Sequence, residues 1–169
     1  MICIQTTETL KDNILLFSPE SFKESKILTS EEISWLEEKY SHGVRQAVFH
    51  RNNSTNFVLI LNGSEKDDRE TKLEKARVLG HNAWKYIAEF KISTALLNVE
   101  GLKDKYITAF VEGFMLSSYK FIKYKKPEKN AHAFESIVLS QGVLSEKQVG
   151  HLKVLVESVF IARDLVNEP

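Results

Sequence analysis

The sequence predicts an α/β fold, and three observations carry that expectation. Short runs of β-branched and aromatic residues read as strands, longer stretches repeat apolar residues at helical spacing, and the two kinds alternate through the second half of the chain. Such alternation makes parallel pairing with right-handed crossovers the natural topology. With 169 residues and 43% hydrophobic content the chain can bury one sizeable core, so a single domain over residues 1–169 is expected. No internal repeat, low-complexity tract or Pro/Gly/Ser-rich stretch offers a point of division.

Taken in order, residues 2–5 and 13–17 read as short strands, the second ended by Pro19 and a polar stretch. Thr29 with Glu32 forms a capping box, and Ile33, Leu36 and Tyr40 then share one face of a helix that should stop at Gly43. Residues 44–50 and 56–61 are expected to pair as an antiparallel hairpin across a polar five-residue connection, 51–55. Residues 67–90 carry Leu73, Ala76, Leu79 or Gly80, Ala83 or Trp84, Ile87 and Phe90 at helical spacing behind an acidic first turn. The nearly continuous apolar run 93–99 suits a central strand buried on both faces. A second long helix is expected over 103–124, with Tyr106, Phe110, Phe114 and Phe121 along one stripe, Gly113 admitting a close neighbour and Pro127 ending it. Residues 133–139 read as a strand. Ser145 and Gln148 then open a last helix through Val149, Leu152, Val156, Val159, Phe160 and Arg163. Ile161, Leu165 and Val166 fall outside that stripe. They should meet something beyond this domain, and residues 162–169 are expected to fray, or to be held by another copy, when nothing covers them.

Charge and composition exclude several functions. Basic and acidic residues balance at 23 each, so no global field draws the chain to nucleic acid or an anionic membrane. No apolar run approaches membrane-spanning length and no leader pattern opens the chain, so a soluble cytoplasmic protein is expected. The sequons at Asn52, Asn53 and Asn62 then read as polar turns. The single cysteine, Cys3, sits between isoleucines as a buried thiol would.

No phosphate loop, dinucleotide fingerprint, nucleophile elbow or paired Cys-x-x-Cys is present, and none of the five histidines lies three or four residues from another. No catalytic, cofactor-binding or metal-binding residue is therefore assigned. The acidic group Glu65, Asp67, Asp68 and Glu70 suits a helix N-terminus better than a cation site. Lys120, Lys123, Lys125 and Lys126, with Lys129, interleave with Tyr119, Phe121 and Tyr124, a mixture that can stack bases and neutralise phosphates. The absence of arginine and the zero net charge favour a solvated helix end instead, so nucleic acid is disfavoured as a partner.

Two stretches resemble a known family. Residues 112–125, Glu-Gly-Phe-Met-Leu-Ser-Ser-Tyr-Lys-Phe-Ile-Lys-Tyr-Lys, resemble the E-G-x-x-L-x-x-Y-x-F-x-x-Y-K pattern in the N-terminal domain of leucyl aminopeptidases. Residues 162–169, Ala-Arg-Asp-Leu-Val-Asn-Glu-Pro, resemble the A-R-D-L-V-N-x-P segment that leads into their catalytic domain. The resemblance implies a three-layer, macro-domain-like mixed sheet flanked by helices, serving assembly and positioning in a hexameric enzyme. It implies no cofactor in this chain, and two divalent metals, zinc or manganese, in a catalytic domain that would follow Pro169. Arg163, Asp164, Leu165 and Val166 would then be the interdomain contact. The macro-domain likeness also raises ADP-ribose or nucleotide binding at the strand ends, against which stand seven isolated glycines and no glycine-rich loop.

Overall fold

The computed structural model describes residues 2–4, 12–51, 54–62, 66–121, 123–124 and 134–168. A six-stranded mixed sheet runs through the centre. Its strands are β1 (Ile2–Ile4), β2 (Asp12–Phe17), β3 (Gln46–Arg51), β4 (Ser54–Ile60), β5 (Thr94–Glu100) and β6 (Ser136–Leu139), in the spatial order β1-β6-β5-β2-β4-β3. Every pairing is parallel except β3 with β4. The helices are α1 (Ser30–Ser41), α2 (Arg69–Glu89), α3 (Asp104–Ser117) and α4 (Glu146–Asn167).

Strand alternation divides the apolar residues into two layers of core. Ile14, Leu16, Phe57, Leu59, Ala95, Leu97, Ile137 and Leu139 point toward α2, α3 and α4 and form one cluster with them. Leu15, Phe17, Val58 and Ile60 point the other way, onto Leu36 of α1 and onto Phe22 of a short 3-10 turn, Ser21–Glu24. The result is the expected three-layer α/β architecture. Burial on both faces belongs to β2 and β4, whose residues from Ile14 to Phe17 and from Asn56 to Ile60 are all buried. In β5 buried and half-buried residues alternate, because its second face lies beyond the reach of α1.

Both expected capping boxes are present: Thr29 with Glu32 opens α1, and Ser145 with Gln148 opens α4. Asp68 caps α2 by accepting the Thr71 amide at 2.7 Å. Gly43, at φ +90°, takes the left-handed turn that ends α1. The hairpin is tighter than the sequence suggests. Arg51 pairs with Ser54 and His50 with Thr55, so only residues 52 and 53 separate the strands. The Arg51 side chain holds that end, reaching Glu32 Oε1 at 2.7 Å and the Ile27 carbonyl at 3.1 Å.

The largest departure is α3, which ends at Ser117 instead of continuing to residue 124. The Ser117 hydroxyl donates to the Gly113 carbonyl at 2.6 Å and the Ser118 hydroxyl to the Met115 carbonyl at 2.7 Å, local bonds that compete with helix continuation. Phe121 therefore leaves the expected stripe, while Phe110 and Phe114 are fully buried in it. Phe90 likewise lies past the end of α2 and is 53% exposed, its place taken by Tyr86, which stacks on Phe57 at 4.2 Å. The side chain of Cys3, residues 63–65, the sequon positions Asn52 and Asn53, and Ala133 with the Pro127 region lie outside the described residues.

Helices α2 and α3 approach closely through two glycines. A Cβ on Gly80 would sit 2.7 Å from the Phe114 amide nitrogen, and one on Gly113 would sit 2.7 Å from Cα of Arg77. Gly113 admits its neighbour as the sequence suggests, and Gly80 returns the contact.

Candidate functional site

The chain leaving α3 runs beside the last turns of α4, and Tyr119 is the centre of that meeting. Its ring packs on Phe160 with centroids 5.2 Å apart, and its hydroxyl donates to Asp164 Oδ1 at 2.7 Å. Asn167 Nδ2 donates back to the Tyr119 oxygen at 3.3 Å and to the Arg163 carbonyl at 2.8 Å. Residues 160, 163, 164 and 167 share one face of a helix, which is why one side chain can touch all of them. Arg163 places its guanidinium 5.4 Å from the Tyr119 ring centre and donates to the Leu116 carbonyl at 2.9 Å. Lys123 forms an ion pair with Glu168 one turn further on. Loss of water around the phenol, and its bond to Asp164, push the Tyr119 pKa above the ordinary tyrosine value.

Of the residues expected at an interdomain contact, Arg163 and Asp164 therefore spend their polar groups inside this domain. Leu165 and Val166 face outward, 68% and 85% exposed. Ile161 is 61% exposed and Val154, two turns before it, is 62% exposed. Val154, Ile161 and Leu165 follow helical spacing on the side of α4 opposite Val149, Leu152 and Val156, which are buried. One helix thus carries a buried stripe and an open one. The segment expected to fray, or to be held by another copy, is helical through Asn167, with the Tyr119 contacts beside its last two turns.

Of the lysines proposed for polyanion contact, Lys120 is exposed and Lys123 pairs with Glu168, while Lys125 and Lys126 lie outside the described residues. Lys120 and Lys123 lie beyond the end of α3, and Arg163 donates to the Leu116 carbonyl there. Phe121 and Tyr124 pack edge-on against each other at 5.8 Å.

The strand-end crevice is open and about 280 Å³ in volume, lined by Ser18, Glu20, Asn62, Lys72, Lys103 and Tyr106 among others. Two of the amides beside it are occupied. The Ser18 amide donates to Ser21 Oγ at 2.9 Å, the Ser21 amide donates to Ser18 Oγ at 3.1 Å, and the Ser21 hydroxyl donates to the Glu100 carbonyl at 2.7 Å. The amides of Ser18 and Ser21 are thus turned to the two serines, and the carboxylate-bearing Glu20 lines the same crevice. Among the described residues no three His, Cys, Asp or Glu side chains gather as a cation site. His81 meets Ser117 Oγ at 3.0 Å, but that hydroxyl already donates to the Gly113 carbonyl.

No family model matches this sequence. A probable cytosol aminopeptidase of Clostridium tetani is 28% identical over 148 residues, covering 80% of this chain and 30% of its own length. One from Persephonella marina is 32% identical over 122 residues, covering 67% of this chain and 24% of its own length. In each the matching part is the N-terminal part. By sequence the chain belongs with the N-terminal part of the cytosol aminopeptidases. The match spans 24% to 30% of the length of these relatives.

The fold is similar to that of solved structures of larger proteins. A tomato leucine aminopeptidase mutant superposes with a TM-score of 0.66 at 15% identity, covering all of this chain and 39% of the other. A bottromycin maturation enzyme, solved in complex with manganese, superposes with a TM-score of 0.63 at 13% identity, covering 95% and 32%. Sequence reasoning singled out two motifs and missed that they touch. Tyr119 belongs to one and Arg163, Asp164 and Asn167 belong to the other.

Proposed function

We propose that this chain is the non-catalytic N-terminal domain of a cytoplasmic, oligomeric aminopeptidase of the two-metal kind, and that it positions the catalytic domain. The carrying observation is the match to the N-terminal quarter of the cytosol aminopeptidases. The open stripe of Ile161, Leu165 and Val166 supports the reading, because exposed apolar residues at an ordered helix end suit a covering partner. The partner in this reading is the catalytic domain of the same polypeptide, within a hexamer.

The two divalent metals, zinc or manganese, would belong to that catalytic domain. The residues described here do not fit them, since no cluster of hard ligands is assembled among them. Among the described residues no helix is long and apolar enough to cross a membrane. Two alternatives, an ADP-ribose or nucleotide module and a nucleic-acid contact through Lys120 and Lys123, have less support: the Ser18 and Ser21 amides are taken, and Lys123 is paired.

The test is direct. The purified chain, given zinc, manganese or cobalt, should leave leucine amide and leucyl peptides intact, and the reading frame beyond codon 169 should encode a metal-ligand-rich domain. Metal-dependent turnover that survives removal of host peptidases would overturn the reading, as would a stop codon at that point. Saturable binding of ADP-ribose, or salt-sensitive binding of DNA, by the same preparation would replace it with the corresponding alternative.

A further inference from the structure

The open stripe of α4 raises a physical question. Helix ends fray, because their last four carbonyls lack helical partners and opening them exposes little apolar area. Beyond Phe160 nothing on α4 is buried; Arg163 alone is half-buried and every other described residue is exposed. The core stripe offers no hold there, since its last fully buried member is Val156. Yet the helix continues to Asn167, with the Glu168 amide donating to the Asp164 carbonyl at 3.0 Å.

We propose that Tyr119, clasped by Phe160, Arg163, Asp164 and Asn167, is a latch that keeps the last two turns of α4 helical and fixes the direction in which they leave the domain. The inference rests on the reading of that helix end as the face that meets the catalytic domain, and it adds the device that holds the face in place. The contacts reinforce one another across the two helix ends. Arg163, on α4, satisfies the Leu116 carbonyl, one of those α3 leaves unpaired at its C-terminus, and supplies a cation where the α3 dipole is negative. Tyr119, just beyond α3, reaches Phe160, Asp164 and Asn167 over two turns of α4. Each helix end is thereby held by a residue of the other. The Lys123 to Glu168 ion pair extends the same contact to the final residues described. Ile161, Leu165 and Val166 lie away from the latch, so they stay free while the backbone that carries them is fixed.

Hydrogen exchange on the 169-residue chain tests the latch, comparing wild type with Tyr119→Phe, Tyr119→Ala and Asp164→Ala. The phenylalanine variant keeps the ring on Phe160 and removes only the hydroxyl. Exchange of the amides over 163–168 should then rise about tenfold, the factor expected for one hydrogen bond to a charged acceptor. Amides over 149–156 should keep their wild-type rate. Asp164→Ala, at an exposed position, should give the same local rise, and the double variant should add little to either single change. Unchanged exchange over 163–168 in all variants would overturn the latch, as would an equal rise along the whole of α4. So would a rise in Leu165→Ser/Val166→Ser alone, which would show that another copy, and not Tyr119, holds the helix end. These readouts lie within this chain, so a failed latch is distinct from a failed assignment to the aminopeptidases.

Discussion

The Tyr119 hydroxyl donates a 2.7 Å hydrogen bond to the Asp164 carboxylate, 45 residues further along the chain. Those two residues belong to the two stretches by which the chain resembles leucyl aminopeptidases, and the fold brings the stretches together at one corner. A pattern that keeps both would keep a single contact, and the contact decides how α4 ends.

That bond has a pH signature. Loss of solvation and the neighbouring Asp164 carboxylate both favour the protonated phenol, raising its pKa in the fold. For a raised pKa the stabilisation is complete below the unfolded value, near pH 10 for tyrosine, and disappears as pH rises through the folded value. The phenolate absorbance of the wild type minus that of Tyr119→Phe should therefore titrate above the free tyrosine midpoint. A midpoint at or below it would show that the bond is not kept in solution.

Gly80 and Gly113 should be intolerant of alanine while Gly150 should not. At the first two, an added methyl meets the Phe110 and Phe114 backbone or the Arg77 backbone, which cannot move as a flexible side chain can. Overpacking of this kind costs about 1 to 3 kcal/mol, or more where the helices must separate. At Gly150 nothing lies within 4 Å of the new Cβ, and alanine in a helix interior gains about 0.5 to 1 kcal/mol. Urea denaturation of the three variants checks the contrast; equal effects at all three would mean that α2 and α3 are further apart than described.

The two fully buried phenylalanines of α3 give a measure of its phase. Truncating Phe110 or Phe114 to alanine should cost about 3 to 5 kcal/mol, whereas Phe90→Ala, at 53% exposure, should cost under about 1 kcal/mol. Similar losses at Phe90 and Phe114 would contradict the burial found here.

The legible and illegible parts of this fold separate by the range of the forces involved. Capping boxes at Thr29 and Ser145, the stop at Gly43 and the apolar stripes of α2 and α4 depend on residues within a turn or two, and their spacing shows them. The end of α3 was misread because aromatic residues continue at helical spacing through Phe121. Ser117 and Ser118 turn their hydroxyls back onto the helix, and Tyr119 goes to α4. Nothing local distinguishes β5 from β4 either: both are apolar, and only the position of α1 decides which of them is covered twice. At the candidate site the resemblance singled out both stretches. Which of them faced inward required the partner 45 positions away.

Acid should loosen the hairpin end. Burial alone would raise the Glu32 carboxyl, but the hydrogen bonds from Arg51 and the Thr29 amide outweigh it and hold the pKa below the ordinary glutamate value. A lowered pKa contributes stability that is present above the unfolded value, near pH 4 for glutamate, and is lost as pH falls through the folded value. Glu32→Gln should cost about 1 to 2 kcal/mol at neutral pH, and the difference from wild type should shrink below about pH 4. A pH-independent difference would show that the charge of the Glu32 carboxylate contributes nothing to the loss.

The exposed face of α4 should separate stability from assembly. Ile161, Leu165 and Val166 bury little area in this domain, so replacing all three by serine should change its unfolding free energy by no more than about 0.5 kcal/mol per site. The Tyr119 contacts lie on the opposite side of the helix and should survive, leaving exchange over 163–168 at its wild-type rate. In a protein that carries the catalytic domain, the same substitutions should weaken its docking, because the apolar area they remove would otherwise be covered there. The readout is the separation of unfolding transitions in calorimetry, where the intact protein should unfold as one coupled unit and the triple serine variant as two. A single coupled transition in both would place the interdomain contact elsewhere on this domain; destabilisation of the isolated chain by the same substitutions would show that the stripe packs on its own domain.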